Sequence, residues 1–267
     1  MYPIIFELGK FRVYSYSLLA VLAFSCALIY AYFEAKRIRE DPEKVIDLAI
    51  YLFISGLLGA YLLNVMVNWR IYIKDPLRIF HFWEGGLVYY GGFILACLVA
   101  LVYIKCHNLN LRSWADLLAP CAMIILAIGR IGCFLNGCCY GKPAPEWLPL
   151  KKLWIYPLGR LPLELEGIPL HPTQLYCSLL SALIVLFLIW RSRRKKFPGE
   201  VFWLMLFLYS LTRFFIEFFR ADQRGGIASL HLSTSQLISI VFFALASFFL
   251  AKNYFKTIKP NPRGEKN

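Results

Sequence analysis

Seven long apolar runs constrain this chain more than any other feature of its sequence. Each is long enough to cross the ~30 Å hydrocarbon core of a bilayer, which takes about 20 residues as a helix. The runs are continuous rather than alternating, so helices are the only spanning elements that satisfy the backbone. They lie at about 14–34, 46–68, 86–104, 114–134, 173–190, 200–220 and 232–251. A hydrophobic share of 59% exceeds what a soluble domain of this size has to bury.

The basic residues give these helices an orientation. With the N-terminus outside, four segments face the cytoplasm and each carries Lys or Arg: 35–45, 105–113, 191–199 and the tail from 252. The positive-inside rule therefore predicts an outside N-terminus and a cytoplasmic C-terminus. Basic loops beside an anionic lipid surface also explain the net charge of +13 without nucleic acid.

Two amphiphilic stretches separate some of the runs. Residues of about 70–83 and 143–170 are typical of short interfacial helices and of a loop region over the outer face. The sequence shows no internal repeat and no inter-domain linker. We therefore expect an all-α integral membrane protein with seven transmembrane helices and one polytopic membrane domain over residues 1–267.

The segment that ends the fourth run is the first candidate for a functional site. Arg130 lies at the mouth of that run, where an ionised guanidinium is unfavourable by several kcal/mol unless it has a partner anion. Asn136, Gly137 and Gly141 follow in a glycine-rich stretch. A planar fork of donors beside unobstructed backbone N–H groups suits a phosphate. The alternative is a helix end with a satisfied arginine and a glycine-rich turn.

Three of the eight cysteines lie in the same stretch. Cys133, Cys138 and Cys139 cluster at the predicted outer face, whereas most of the others lie inside apolar runs, where cysteine behaves as a small hydrophobic residue. Their spacing matches no C-x-x-C motif. We expect no metal and no cofactor, and we regard the three as a possible thiol site, with a disulfide, a metal site or a redox role as alternatives.

Ionisable residues at the end of the sixth run form a second candidate. Arg213, Glu217 and Arg220 occur at i, i+4 and i+7 and would share one helical face. Such a stripe in an apolar run does not face lipid. We expect Glu217 to compensate Arg213 and to leave positive charge for an anion. A purely structural ion pair is the alternative.

Polar residues at the ends of other runs complete the candidates. Tyr16, in the first run, could hydrogen-bond a lipid headgroup, or it could be an interface anchor. Tyr90 lies between two Gly-Gly pairs at the start of the third run, where helix packing is the alternative reading. His171 and Gln174 open the fifth run, at the predicted level of Arg130.

Taken together, these segments resemble the prolipoprotein diacylglyceryl transferase family. The resemblance runs from the first span to about Arg220, with the family's seven spans and outside N-terminus. The matching positions, in family order, are Tyr16, Trp83 to Gly92, Trp114, Asp116, Pro120, Gly129 to Gly141, His171 to Tyr176, Arg213, Glu217 and Arg220.

Membership implies a multi-pass enzyme of the bacterial plasma (inner) membrane. It would transfer diacylglyceryl from phosphatidylglycerol to the lipobox cysteine of prolipoproteins, so its partners would be phosphatidylglycerol, the prolipoprotein signal peptide and membrane lipids. On this reading, catalysis falls to Arg130, Arg213, Tyr16, Tyr90 and His171. Substrate binding falls to Arg220, Glu217, Asn136, Gly137, Gly141 and Gln174.

The sequence departs from the family pattern at several polar positions. Tyr90 replaces the usual histidine, Cys133 replaces an asparagine, and Cys138 and Cys177 replace glutamates. A phenol is a poor base at neutral pH. Either another group such as His171 takes the proton of the acceptor thiol, or the acceptor and the chemistry differ from those of the family. Two other functions stay open: a non-catalytic lipid- or lipoprotein-binding membrane protein, and a thiol-based membrane enzyme that uses the clustered cysteines.

Overall fold

A computed structural model describes residues 3–8, 11–80, 87–145, 155, 165–221, 226–227 and 232–258, and this part of the chain is mainly helical. Its helices are α1 (Ser15–Arg37), α2 (Pro42–Val67), α3 (Trp69–Lys74), α4 (Tyr89–Cys106), α5 (Leu111–Asn136), α6 (Thr173–Ser192), α7 (Glu200–Glu217) and α8 (Thr234–Ile258). Two short antiparallel hairpins pair β1 (Ile4–Leu8) with β2 (Phe11–Tyr14) and β3 (Gly226–Ile227) with β4 (Leu232–Ser233).

Each of the seven predicted spans contains one long helix, which confirms the all-α membrane fold, although residue 14 and residues 232–233 at the ends of two spans are strand. Among these residues, α1, α2, α4, α5, α6 and α8 are long and apolar enough to cross a membrane by length and composition. Helix α7 has 18 residues but carries Glu200, Arg213 and Glu217, all of them buried. The sequence predicted neither hairpin, because the apolar residues beside each one were assigned to membrane spans. The outside N-terminus stays a prediction.

The chain divides into two compact units. One comprises Met1–Ile29 and Ala115–Asn267, and the other comprises Tyr30–Trp114. In the first unit α6 packs on α7 and α7 packs on α8, around a core that includes the fully buried Leu188 and Val201. The single polytopic domain of the sequence reading stays a prediction.

Asp116 on α5 fixes the start of α7 in the first unit. Its carboxylate accepts hydrogen bonds from the N–H groups of Gly199 and Phe202 over 2.9 and 3.0 Å, and it pairs with Lys195 over 3.0 Å. The carboxylate thus satisfies backbone donors that the first turn of a helix leaves without a partner in the helix itself. A negative charge at this end also favours the helix dipole.

In the second unit, α2 and α4 approach each other through glycine. A Cβ on Gly91 would lie 2.2 Å from the carbonyl oxygen of Gly59, and a Cβ on Gly59 would lie 2.4 Å from that of Gly91. The N–H of Val88 donates to the carbonyl of Ala60 over 3.1 Å. Small residues allow this approach, so Gly91 of the Gly-Gly segment acts in packing. Residues 83–86 of that segment lie outside the described residues.

The amphiphilic stretch after α2 folds as expected where it is described. Helix α3 and a 3-10 turn, Pro76–Phe80, contain no buried residue. Tyr61 of α2 donates its hydroxyl to the carbonyl of Ile79 over 2.6 Å, and Asn64 donates to the hydroxyl of Tyr72 over 3.0 Å. These bonds tie the stretch to the end of α2. Of the second stretch, 143–170, the structure describes 143–145, 155 and 165–170.

Candidate active site

Helix α5 ends in a cap that turns the chain sharply. Gly137 has φ +78° and donates its N–H to the carbonyl of Phe134, while the N–H of Cys138 donates to the carbonyl of Cys133, each over 3.1 Å. This is the Schellman arrangement, in which glycine takes the left-handed conformation just past the helix. Gly137 therefore shapes the site through the backbone, by reversing the chain directly after Asn136.

Two side chains at the start of α6 hydrogen-bond to the turn that follows α5. Thr173 donates its hydroxyl to the carbonyl of Cys139 over 2.9 Å, and the Gln174 amide donates to the carbonyl of Cys138 over 2.6 Å. Both side chains are fully buried. Cys139 has φ +63°, a conformation that strains a non-glycine residue by about 1–3 kcal/mol unless its surroundings hold it. Gln174 thus supports the turn, and its expected role in substrate binding stays a prediction.

Gly141 joins the turn to two other segments. Its N–H donates to the carbonyl of His171 over 3.0 Å, and the N–H of Lys142 donates to the carbonyl of Phe219 over 2.8 Å. Gly141 also pairs with Arg220 in an isolated β-bridge. A Cβ at Gly141 would lie 2.6 Å from the Phe219 oxygen and 2.7 Å from the His171 oxygen. Only glycine fits this junction.

This junction corrects two expectations. Helix α7 ends at Glu217, so Arg220 does not share a helical face with Arg213 and Glu217. Its backbone leaves the helix because it pairs beside Gly141. In addition, the N–H groups of Gly137, Cys138, Gly141 and Lys142 all donate to backbone carbonyls. The glycines therefore allow close packing, and these four N–H groups are not available to a phosphate.

Two arginines place positive charge at the turn. The guanidinium of Arg130 on α5 interacts electrostatically with Cys177, Cys133 and Cys139. The guanidinium of Arg220 forms a hydrogen bond with Cys139. Arg220 is buried, and Arg130 is only partly accessible. Two guanidinium groups that share the Cys139 thiol as a neighbour form a positively charged pocket beside the end of α5.

Tyr16 of α1 belongs to the same pocket. Its phenol interacts electrostatically with Cys133, Cys138 and Arg130. Its ring lies against Gly132, where an added Cβ would be 3.3 Å from Cδ2 of the tyrosine. The glycine one turn from the end of α5 thus makes room for the ring, and the expected role of Tyr16 toward a lipid headgroup stays a prediction.

The three clustered cysteines meet in space. The Sγ atoms of Cys133, Cys138 and Cys139 all lie within 4.8 Å of one another. All eight cysteines are described, and each is a free thiol. The pKa of Cys139 lies well below its ordinary range because Cys133 hydrogen-bonds to it, as do Cys138 and the Arg220 guanidinium. The Asn136 side chain hydrogen-bonds to Cys138, and its expected role at the site stays a prediction.

Arg213 and Glu217 form a second buried group. Arg213 Nη2 lies 2.7 Å from Glu217 Oε2, and both side chains are less than a tenth exposed. Ser233 donates its hydroxyl to Glu217 over 3.0 Å, and Arg213 donates to Ser235 over 3.2 Å. Glu217 thus compensates the charge of Arg213, while the buried Nη1 group of that guanidinium has no hydrogen-bond partner among the described residues.

His171 and Tyr90, the two remaining predicted catalytic residues, lie in different surroundings. His171 Nδ1 lies 3.2 Å from the hydroxyl of Tyr176, and the imidazole packs edge-on against Phe219. Burial lowers the pKa of His171, so the ring is neutral at pH 7 and able to accept a proton. Tyr90 belongs to the other unit and is 56% exposed. Its catalytic role stays a prediction.

The sequence reading missed several residues around these groups. Tyr209 interacts with Arg130, and its position one helical turn before Arg213 was the available signal. Cys177 appeared only as a departure from the family pattern. Ser233 and Ser235 could not be found in advance, because they reach Glu217 and Arg213 from the start of α8.

Apolar helices that enclose guanidinium groups beside a constrained turn define a polytopic membrane protein with buried positive charge. A family model described as prolipoprotein diacylglyceryl transferase matches residues 3–252. The chain belongs to the prolipoprotein diacylglyceryl transferase family. It is therefore a transferase, and it is a multi-pass protein of the bacterial plasma (inner) membrane.

Relatives with names that specify a reaction cover nearly the whole chain. A phosphatidylglycerol–prolipoprotein diacylglyceryl transferase from Clostridium tetani is 34% identical over 96% of this chain and 99% of its own length. One from Clostridium perfringens, named transferase 2, is 34% identical over 97% of this chain and 98% of its own. One from Geobacter sulfurreducens is 35% identical over 91% of this chain and 92% of its own.

Proposed function

We propose that this protein transfers the diacylglyceryl group of phosphatidylglycerol to the lipobox cysteine of a prolipoprotein and releases glycerol phosphate. The observation that carries the proposal is the pair of guanidinium groups, Arg130 and Arg220, that share Cys139 as a neighbour. The names of the relatives supply the substrate pair. The lipobox, the signal peptide and bulk membrane lipids as partners belong to this proposal.

The reaction breaks a carbon–oxygen bond and leaves negative charge on the departing phosphate. Arginine suits that task because its planar donors match phosphate oxygens and its charge persists at all relevant pH values. Preorganised groups aimed at developing charge act strongly in a water-poor site. Arg130 and Arg220 would therefore bind the phosphate of the donor lipid and stabilise the leaving group.

The second buried group supports this arrangement. Arg213 carries a buried Nη1 donor without a described partner, which is the form that a donor awaiting an anion would take. Glu217 holds the other side of the same guanidinium at 2.7 Å and so fixes its direction. Arg213 would thus add a third cationic group, with Glu217 as its positioning residue.

The acceptor thiol has to lose its proton before it attacks carbon, because the thiolate is the nucleophile. His171 is neutral owing to burial and can accept a proton. Tyr16 lies beside Arg130 and would hydrogen-bond the bound headgroup. Asn136 and Gly141 would shape the pocket from the turn after α5.

The proposal is tested by complementation of a strain depleted of its diacylglyceryl transferase, together with transfer of labelled lipid to a lipobox peptide by purified protein. We expect Arg130→Ala to lower the transfer rate about 100- to 1000-fold, the range for loss of one transition-state donor. Arg112→Ala, at an exposed position of the same helix, is the matched control and should rescue fully.

Other outcomes identify the alternative functions. Absence of rescue by every form, with lipid still bound to the purified protein, would indicate a non-catalytic lipid- or lipoprotein-binding protein. Equal rescue by wild type and Arg130→Ala would refute the role given to the arginine pocket. Rescue lost only with Cys133→Ser or Cys138→Ser would favour a thiol-based enzyme.

A further inference from the structure

The thiol cluster of Cys133, Cys138 and Cys139 has the composition of a metal site, although their spacing in sequence matches no familiar motif. Three Sγ atoms lie within 4.8 Å of one another. In a tetrahedral zinc site with Zn–S bonds of ~2.3 Å, neighbouring sulfurs are about 3.8 Å apart. The cluster therefore has to contract by about 1 Å at most to surround one ion.

The backbone holds these sulfurs together independently of any ion. Cys138 and Cys133 share the bond that caps α5. The carbonyls of Cys138 and Cys139 are held by the fully buried Gln174 and Thr173. Cys139 is kept at φ +63°, a strained conformation that persists only where surrounding structure enforces it.

The surrounding charge suits an anionic metal centre. Three thiolates around Zn²⁺ leave one net negative charge, and a fourth thiolate from the acceptor would make it two, which the neighbouring Arg130 and Arg220 guanidinium groups would balance. All three cysteines are partly accessible rather than fully buried, so an ion and a further ligand can reach them. Three protein ligands and one position for water or substrate are the pattern of catalytic rather than structural zinc sites.

We infer that Cys133, Cys138 and Cys139 bind one Zn²⁺ ion and that its fourth position takes the thiol of the acceptor cysteine. The inference rests on the proposed transfer reaction and adds to it a means of activating the nucleophile. A thiol that coordinates a zinc ion is deprotonated outright. The site would therefore produce a thiolate at neutral pH beside the arginines that bind the donor phosphate, and His171 would only have to carry the released proton to solvent.

The bonds and charges of the transfer balance without any further reactant. The acceptor thiol releases its proton to solvent when its sulfur binds the ion. That sulfur then forms a bond to the glyceryl carbon of the donor lipid as the carbon–oxygen bond to phosphate breaks. The electron pair of the broken bond leaves with the oxygen of glycerol phosphate, and the product thioether is a weaker ligand than the thiolate.

The test uses full-length protein, purified in detergent, reduced and then freed of reductant, with Co²⁺ as the spectroscopic probe for the zinc site. We expect one equivalent to bind, with sulfur-to-cobalt charge-transfer absorption and displacement by Zn²⁺. Cys139→Ser should weaken binding by about 100-fold or more, since loss of even an outer-shell partner lowers metal affinity 10- to 100-fold. Cys106→Ser, an exposed cysteine of α4, is the matched control and should bind normally.

A second arm tests the fourth position. A lipobox peptide with its cysteine should change the Co²⁺ spectrum, whereas the same peptide with serine should not. Lack of stoichiometric Co²⁺ binding by the reduced wild-type protein, or an intramolecular disulfide in place of the free thiols, would overturn the site. An unchanged spectrum with the cysteine peptide would overturn the role in activation.

Activity separates this inference from the proposed function. Transfer at the full rate by protein stripped with a chelator would overturn the inference and leave the proposed function intact. Binding of Co²⁺ and of the cysteine peptide without transfer by any preparation would uphold the site and refute the proposed function. Loss of transfer on chelation, restored by Zn²⁺, is the expected result.

Discussion

Substitution of Gly141 by alanine tests whether the junction beside the pocket positions the catalytic groups. The added Cβ would lie 2.6 Å from the carbonyl oxygen of Phe219, 2.7 Å from that of His171 and 2.7 Å from the His171 Cβ. Ordinary C···O contacts are about 3.3 Å or longer. The new methyl group is therefore too close by about 0.6–0.7 Å, and two of its three neighbours are backbone atoms that cannot rotate away.

The expected effect follows from this overlap. Overpacking of this kind destabilises proteins by about 1–3 kcal/mol. Relief requires the turn to move away from the segments before α6 and after α7, and the second of these carries Arg220. Because a misplacement of about 1 Å lowers rates about 100-fold, we expect Gly141→Ala to reduce transfer about 10- to 100-fold, in addition to lowering the thermal midpoint.

The assay compares transfer rate and thermal unfolding of the detergent-solubilised protein with those of Gly129→Ala. A Cβ at Gly129 meets nothing within 4 Å, and alanine in place of glycine inside a helix stabilises by about 0.5–1 kcal/mol. This control should therefore keep wild-type activity. Wild-type midpoint and rate in Gly141→Ala would refute the reasoning, because the three contacts leave no space for a silent methyl group.

Three further predictions concern other parts of the molecule. Gly91→Ala should lower the thermal midpoint sharply, because its Cβ would lie 2.2 Å from a backbone oxygen. Gly56→Ala is the control and should leave the midpoint unchanged, because a Cβ there meets nothing within 4 Å. Equal midpoints for the two variants would contradict the packing of α2 on α4. Asp116→Ala should lower the free energy of unfolding by about 2–3 kcal/mol, because two backbone N–H groups and a lysine lose their acceptor. An unfolding midpoint equal to that of wild type would contradict this prediction. Burial lowers the pKa of His171 from 6.5, so stability should fall as pH drops below about 6.5 and through the folded-state pKa; the same pH dependence in His171→Gln would rule out this origin.

The membrane helices could be predicted because their cause is local. A continuous apolar run of the right length has one way to satisfy its backbone in lipid, and each predicted run contains one long helix. Boundaries moved by a few residues where a non-local contact intervened. The predicted sixth span reached residue 220, yet α7 ends at Glu217 because the chain beyond it pairs with Gly141.

The candidate site was predictable in its charged residues and not in its support. Arg130 drew attention as a cation in an apolar run, and the structure places it with Tyr16 and the clustered cysteines. Gln174 was a predicted site residue and Thr173 is its neighbour, but their hydrogen bonds to the turn after α5 arise only from tertiary packing. A sequence pattern carries no direct signal for a side chain that binds a distant carbonyl.

The main-chain bonds at Gly141 have a consequence for how this enzyme can change over time. Three strand-like segments, separated widely along the chain, meet there through peptide groups rather than through side chains. Backbone hydrogen bonds therefore set the position of Arg220, and most side-chain substitutions at the neighbouring positions would preserve those bonds. Polar residues around the pocket can therefore be replaced by cysteine without moving the Arg220 guanidinium. The group that activates the nucleophile could then change during evolution while the proposed binding of the leaving group is kept.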